Sequence, residues 1–316
     1  MPPKIVVITG PTATGKTRLG ILLCKKLGGE VVSADSMQVY RGMDIGTAKP
    51  SLAEMEGVPH HMLSVVSPKE QFSVSRYVEM AAECTDGILR RSKIPFLVGG
   101  TGLYIDSLIS GRSFAGTTED KELRRELSER YDALGGEKML EILAQSDPER
   151  AARLHPNDKK RIVRALEVIK LTGRTLSEHD RETKLVPRRY DALKIALTFR
   201  DRAELYRRID VRVDMMMEAG LEAEVRKLLK SGLSPESTAM QAIGYKELVA
   251  AIEGKCTISE AVEAIKKESR HYAKRQLSWL RRDESIRWIF WENEPDFEKA
   301  VQFSTALMEE YGIISA

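Results

Sequence analysis

The 316-residue chain is 42% hydrophobic and 31% charged, with a formal net charge of +3. That is the balance of a soluble globular protein with ample core, and no apolar stretch is long enough to span a membrane. Cys24, Cys84 and Cys256 lie far apart with no C-x-x-C and no His cluster, which argues against a zinc finger or disulfide framework and for a reducing, cytoplasmic setting.

The first run, KIVVIT, is short, apolar and β-branched, as a buried strand should be. It begins by about Lys4, leaving no room for a signal or transit peptide. GPTATGKT follows, Gly10 to Thr17, and fits the Walker A pattern G-x-x-x-x-G-K-[ST]. Then RLGILLCKKLG has helical periodicity and a C-cap signal at Gly28 and Gly29. The strand–loop–helix context of a phosphate-binding loop is therefore complete. Glycines let backbone N–H groups turn inward and the helix N-terminus adds a positive dipole; Lys16 would neutralise phosphate oxygens and the Thr17 hydroxyl would reach a bound Mg²⁺, the alternative being an ordinary glycine-rich turn.

EVVSAD reads as a second strand, and HHMLSVV as another after a loop-rich stretch. A helix is expected from about Val74 to Arg91 with Ser73 as N-cap, then the strand PFLVGG and a helix opening at TGLYIDSLIS. This alternation predicts an α/β fold, a P-loop-type parallel sheet flanked by helices. From about Thr117 to Glu182 the pattern is helical only, and LKIALTF at 193–199 returns the chain to the sheet. The expected organisation is thus a core at 1–116, an all-helical insertion at 117–185 and the rest of the core at 186–316. Helices follow from Asp201, interrupted near Gly220 and Gly232, with SIRWIFW as a last strand and a closing helix.

Ligands of an open parallel sheet bind at the carboxyl ends of its strands. One end carries the P-loop, one ends in Asp35, Ser36, Met37 and Gln38, and one in Gly99, Gly100, Thr101 and Gly102. Asp35 is the only carboxylate among them; it could ligate Mg²⁺, accept a proton, or simply cap a turn. Gln38 could pair with an adenine edge or be an ordinary loop residue. The third end lacks the acidic residue with which an ATPase commonly closes a core strand. Two basic regions stand out in this nearly neutral chain. Residues 266–282 hold seven Lys/Arg against one Glu, with Lys266, Arg270 and Lys274 at helical spacing. The second region runs from Arg188 to Arg212. A solvated face explains one such region; two suggest a polyanion surface.

In this order, GPTATGKT, DSMQVYRGMDIGTAKP, VGGTGLY, QAIGYKE and RQLSW resemble the tRNA dimethylallyltransferases, also called tRNA isopentenyltransferases, over almost the whole chain. Thr14 stands where many relatives have Ser, and Ser278 where Thr is usual; both keep a hydroxyl. No C-terminal zinc finger is present, so the chain resembles the bacterial form.

The resemblance implies that Gly10, Pro11, Thr12, Ala13, Thr14, Gly15, Lys16 and Thr17 grip the diphosphate of dimethylallyl diphosphate rather than a nucleotide, with Mg²⁺ at Thr17 and help from Arg208 or Arg212. It implies an adenosine next to the anticodon as acceptor, flipped into the protein against Asp35, Ser36, Met37 and Gln38. Asp35 would be the general base, and Thr101 would bond the diphosphate or the base. Arg124, Lys159, Lys160, Arg161, Ile162, Val163 and Arg164 of the insertion, with Lys274, Arg275, Gln276 and Arg281, would hold the tRNA anticodon stem-loop. A monomer is expected. A small-molecule kinase with a lid insertion and a non-catalytic RNA-binding module are the alternatives; the missing acid and the basic regions count against the first, and the joint presence of Lys16, Thr17, Asp35 and Thr101 against the second.

Overall fold

The computed structural model describes residues 2–111 and 120–315, apart from the side chain of Lys184. The chain forms two compact units, residues 1–109 with 189–316, and residues 110–188. The expected junction at 116/117 lies outside the described residues.

In the first unit, β1 (Lys4–Thr9) is buried at every position after Lys4. A strand covered on both faces reads as a continuous apolar run, which is why KIVVIT shows no alternation. α1 (Lys16–Leu27) ends where Gly28 turns left-handed, φ 68°, and donates its N–H to the Cys24 carbonyl. β2 (Glu30–Ser33), α2 (Leu52–Met55) and β3 (His60–His61) follow. The strand expected from HHMLSVV is cut to its two histidines because Met62 and Ser64 take left-handed φ of 65° and 53°. α3 (Val74–Arg90) starts at Ser73, whose Oγ accepts the Arg76 N–H at 3.2 Å. β4 (Pro95–Val98) and α4 (Gly102–Ser110) lead to the second unit.

That unit contains α5 (Lys121–Leu134), α6 (Gly136–Ser146), α7 (Pro148–Ala151), α8 (Lys159–Thr172) and α9 (Leu176–Leu185). Its core is Leu127, Met139, Leu143, Ile162, Val163, Ala165 and Leu166. The first unit resumes with β5 (Asp191–Phe199), α10 (Arg202–Glu218), α11 (Leu221–Lys230), α12 (Tyr245–Ile252), α13 (Ile258–Leu280), β6 (Arg287–Trp291) and α14 (Phe297–Glu310).

The six strands form one parallel sheet in the order β3-β2-β4-β1-β5-β6. Ile8 and Ser33 both pair with Val98, so the carboxyl ends of β1, β2 and β4 finish level. The chain leaves β1 toward β2 on one side and enters β5 on the other, which puts the switch point of the sheet at those ends. One apolar cluster joins the sheet to α1 and α14; a second packs Val39, Tyr40 and Met43 against α10–α13. Among the described residues no helix is long and apolar enough to cross a membrane.

Candidate active site

The P-loop bends at Gly10, φ 143°, where an added Cβ would lie 2.3 Å from the Leu197 carbonyl oxygen. Ala13 is left-handed at φ 64° and Gly15 at φ 85°. The loop is gripped by its surroundings: Trp291 Nε1 donates to the Thr14 carbonyl at 2.9 Å, and a Cβ on Gly15 would meet the Phe297 ring at 2.7 Å. Thr14 is fully buried and its hydroxyl donates to the Pro11 carbonyl at 2.8 Å, which braces the loop from within. Among the described residues the Thr12 N–H has a protein acceptor, whereas those of Ala13 to Arg18 have none. A run of unpaired N–H groups at a helix N-terminus suits an anion.

Lys16 folds over this nest and donates to the Pro11 carbonyl at 2.5 Å. Desolvation and the neighbouring Arg212 cation push its ammonium down to about 7, against the opposing pull of Asp35. Burial likewise lowers Arg212, with Asp35 acting in the other direction. Lys16, Arg212 and Asp35 are therefore one electrostatic group, two cations crowded together beside one carboxylate. The two candidate arginines separate here. Arg208 bonds Glu294 at 2.9 Å and lies over the Phe199 ring, while Arg212 shares the field of Lys16.

On the β2 side, Asp35 Oδ1 accepts the N–H groups of Met37 at 2.8 Å and Gln38 at 3.3 Å. The turn-capping reading is thus realised by one carboxylate oxygen, and the other has no hydrogen-bond donor among the described residues. Gln38 is committed: its Oε1 accepts from Ser33 Oγ at 3.1 Å, and its Nε2 donates to the Thr47 and Ala48 carbonyls at 3.1 and 3.2 Å. Reading an adenine edge would require breaking those bonds, so its observed work is to hold the 44–48 loop, the first five residues of the DIGTAKP motif. Thr101 Oγ1 accepts the Ser36 N–H at 3.1 Å and also bonds Tyr272, whose hydroxyl is raised to about 12 by desolvation and by Asp35. Tyr272 and Trp279 mark one helix face by their spacing of seven residues, with Gln276 between them, but that pattern alone does not assign Tyr272 to the site.

The polyanion surface is smaller than the sequence suggests. From Arg188 to Arg212, Arg189 pairs with Asp86, Lys194 with Asp283, Arg200 with Glu292 and Arg207 with Glu204. On α13, Lys266 pairs with Asp214 and Arg270 with Asp210. Lys267, Lys274, Arg275, Arg281 and Arg282 are exposed with no carboxylate partner among the described residues, so most of the open cations lie toward the C-terminal end of that helix and just beyond it. Gln276, expected at the RNA surface, is 7% exposed and faces inward. In the helical unit Ile162 and Val163 are core side chains, and Arg124 and Arg164 each bond the buried carboxylate of Glu167 at 2.8 Å. Lys159 is paired with Asp132, which leaves Lys160 and Arg161 of that series exposed, Arg161 with only a 3.6 Å contact to Asp158.

No cluster of three or more His, Cys, Asp or Glu among the described residues could cage a metal. Thr17, one of the residues lining a small cavity with Ser33, Gln38 and His60, offers a hydroxyl oxygen from the P-loop. A single hydroxyl suits Mg²⁺, which keeps most of its waters and takes its other ligands from phosphate oxygens.

The chain is similar to known proteins over most of its length. The IPP transferase family model matches residues 38–283, and the isopentenyl transferase model residues 3–66. The tRNA dimethylallyltransferase of Desulforudis audaxviator is 50% identical over 92% of each chain, and tRNA dimethylallyltransferase 2 of Geotalea uraniireducens is 49% identical over 90% of this chain and 92% of its own. Among solved structures, the full-length tRNA isopentenylpyrophosphate transferase of Bacillus halodurans superposes with a TM-score of 0.72 at 41% identity, covering 97% of both chains. A eukaryotic dimethylallyltransferase described as acting on tRNA superposes with a TM-score of 0.82 at 30% identity, over 98% of this chain and 80% of its own. The chain belongs to the tRNA dimethylallyltransferase family, the P-loop prenyltransferases that modify tRNA.

Proposed function

We propose that the enzyme transfers the dimethylallyl group of dimethylallyl diphosphate to the exocyclic N6 amine of the adenosine 3′-adjacent to the tRNA anticodon, releasing diphosphate in the cytoplasm. The observation that carries this reading is the meeting of open P-loop amides, Lys16 and Arg212 with the Asp35 carboxylate at the level ends of β1, β2 and β4.

In the reaction the N6–C1 bond forms as the C1–O bond breaks, and the electron pair of that bond leaves on the diphosphate. The Ala13–Arg18 amides, Lys16 and Arg212 receive the leaving charge; fixed donors aimed at developing charge are the largest catalytic contribution in most enzymes. Lys16 binds as the charged form, so diphosphate binding restores the proton that desolvation removes. The Thr17 hydroxyl would hold Mg²⁺, which would supply further charge neutralisation. The amine is a weak nucleophile because its lone pair is delocalised into the ring. The free oxygen of Asp35 takes its proton, while the other oxygen keeps the Met37–Gln38 turn that aims the carboxylate. Lys274, Arg275, Arg281, Lys160 and Arg161 offer the exposed charge for the RNA backbone.

The test is to incubate the protein with Mg²⁺, unmodified tRNA and radiolabelled dimethylallyl diphosphate, without ATP, and to count label in the RNA. Label in the tRNA is expected. Its absence with folded protein and a suitable tRNA would overturn the reading and favour a kinase.

A further inference from the structure

We propose that Gln276 is a positioning residue that fixes the distance between the donor and acceptor halves of the site. Its amide is buried, and both of its ends are used. Oε1 accepts the Thr12 N–H of the P-loop at 3.1 Å, and Nε2 donates to the Gly100 carbonyl at 3.0 Å. Thr12 belongs to the loop that takes the leaving diphosphate. Gly100 precedes Thr101, whose hydroxyl accepts the Ser36 N–H beside Asp35. One side chain thus ties the leaving-group loop to the segment that holds the base.

The neighbouring residues of the same helix face support this arrangement. Tyr272 bonds Thr101, and the Trp279 ring lies where a Cβ on Gly102 would approach it to 2.4 Å, its Nε1 donating to Asp106 at 3.1 Å. The face at 272, 276 and 279 grips Gly100, Thr101 and Gly102 of the GGTG loop, while Lys274 and Arg275 of the same helix and Arg281 at its C-cap are exposed. Gly100 is part of the device: a Cβ there would fall 2.1 Å from Gln276 Nε2, so only glycine admits the amide. Reacting groups must be held at near-contact distance, and a misplacement of about 1 Å costs on the order of 100-fold in rate. A glutamine is suited to this because it can accept from an N–H and donate to a carbonyl at once.

The inference rests on the transfer reading above, and its test separates the two. Single-turnover label transfer at saturating donor and tRNA is measured for the wild type, Gln276→Met and Gly100→Ala, with the two Kd values and the melting temperature of each. Gly100→Ala keeps Gln276 but displaces its amide, and it serves where Gln276→Met lowers the yield of folded protein. The expected result is a rate roughly 10- to 100-fold below wild type in each variant, Kd values within about threefold, and a double variant no slower than the worse single one. An unchanged rate in either folded variant, or a loss confined to the tRNA Kd or to the melting temperature, overturns the positioning role. No label with the wild type overturns the transfer reading, and this inference with it.

Discussion

The donor and acceptor halves of the site are built in opposite ways. The P-loop is a local device: nine consecutive residues, Gly10 to Arg18, supply the nest, the lysine and the hydroxyl, and the surroundings clamp it. The acceptor half is a tertiary construction. Asp35 is aimed by its own turn, but that turn leads into the 44–48 loop, which is held from far along the chain. Glu224 of α11 accepts the N–H groups of Asp44, Ile45 and Gly46 at 2.9, 2.9 and 3.2 Å, and the Tyr245 hydroxyl at 2.6 Å. Lys49 reaches back to the Tyr40 carbonyl and Ser64 Oγ at 2.7 and 2.8 Å. Binding a diphosphate needs a fixed charge pattern that a short loop can encode, whereas presenting a base to a flipped nucleotide needs a platform.

The largest effect expected is on the acceptor side. Asp35→Asn keeps an oxygen for the Met37 and Gln38 N–H groups but cannot take a proton, so kcat falls by about 10²–10⁴ while tRNA affinity holds. Measured kcat and tRNA Kd check this, and a small kcat change would reduce Asp35 to its turn-capping role. On the donor side, Lys16→Met removes one charge donor and lowers kcat/KM for the diphosphate substrate by about 10²–10³. Arg212→Ala should behave similarly, and Arg208→Ala, already engaged by Glu294, should change the rate by only about threefold. Equal effects for the two arginines would erase the separation drawn between them.

Glu224→Ala tests the platform from a distance. It leaves three N–H groups of one loop without their acceptor, which costs roughly 2 kcal/mol of stability and raises KM for tRNA by about tenfold, with the donor KM unchanged. Denaturant titration and steady-state kinetics read both numbers. The smallest effects belong to the surface. Lys274→Ala and Arg281→Ala should each flatten the salt dependence of tRNA binding by about one unit of slope at unchanged stability. Arg164→Ala should instead destabilise the helical unit, because Glu167 is fully buried and would lose one of its two arginines.

The same contrast governs what the sequence reveals. The strand–loop–helix of the P-loop, the Ser73 cap and the helical middle follow from local spacing, and the structure contains each of them. The neutralisation of Arg189, Lys194, Arg200, Lys266 and Arg270 was not legible, because most of their partners are brought in by packing. Asp210 and Asp214, for example, lie on α10 and face α13. The same holds for Gln38 and Gln276, whose side chains looked suited to reading a base or RNA but whose bonds run to backbone groups elsewhere in the fold. The shortening of β3 depends on left-handed φ at Met62 and Ser64, residues with no such preference of their own.

Calorimetry of inorganic diphosphate binding at pH 8, in buffers of different ionisation enthalpy, tests the central claim about the P-loop most directly. Free Lys16, lowered to about 7, is mostly neutral at pH 8 and must be charged in the complex. Wild-type binding should therefore take up close to one proton more than binding to Lys16→Met, which shares the ionisation of the diphosphate itself, and the wild-type advantage in affinity should fall by up to about tenfold per unit as pH rises above 7. Equal proton uptake by the two proteins, or an affinity ratio flat from pH 7 to 9, would contradict a diphosphate held by this lysine.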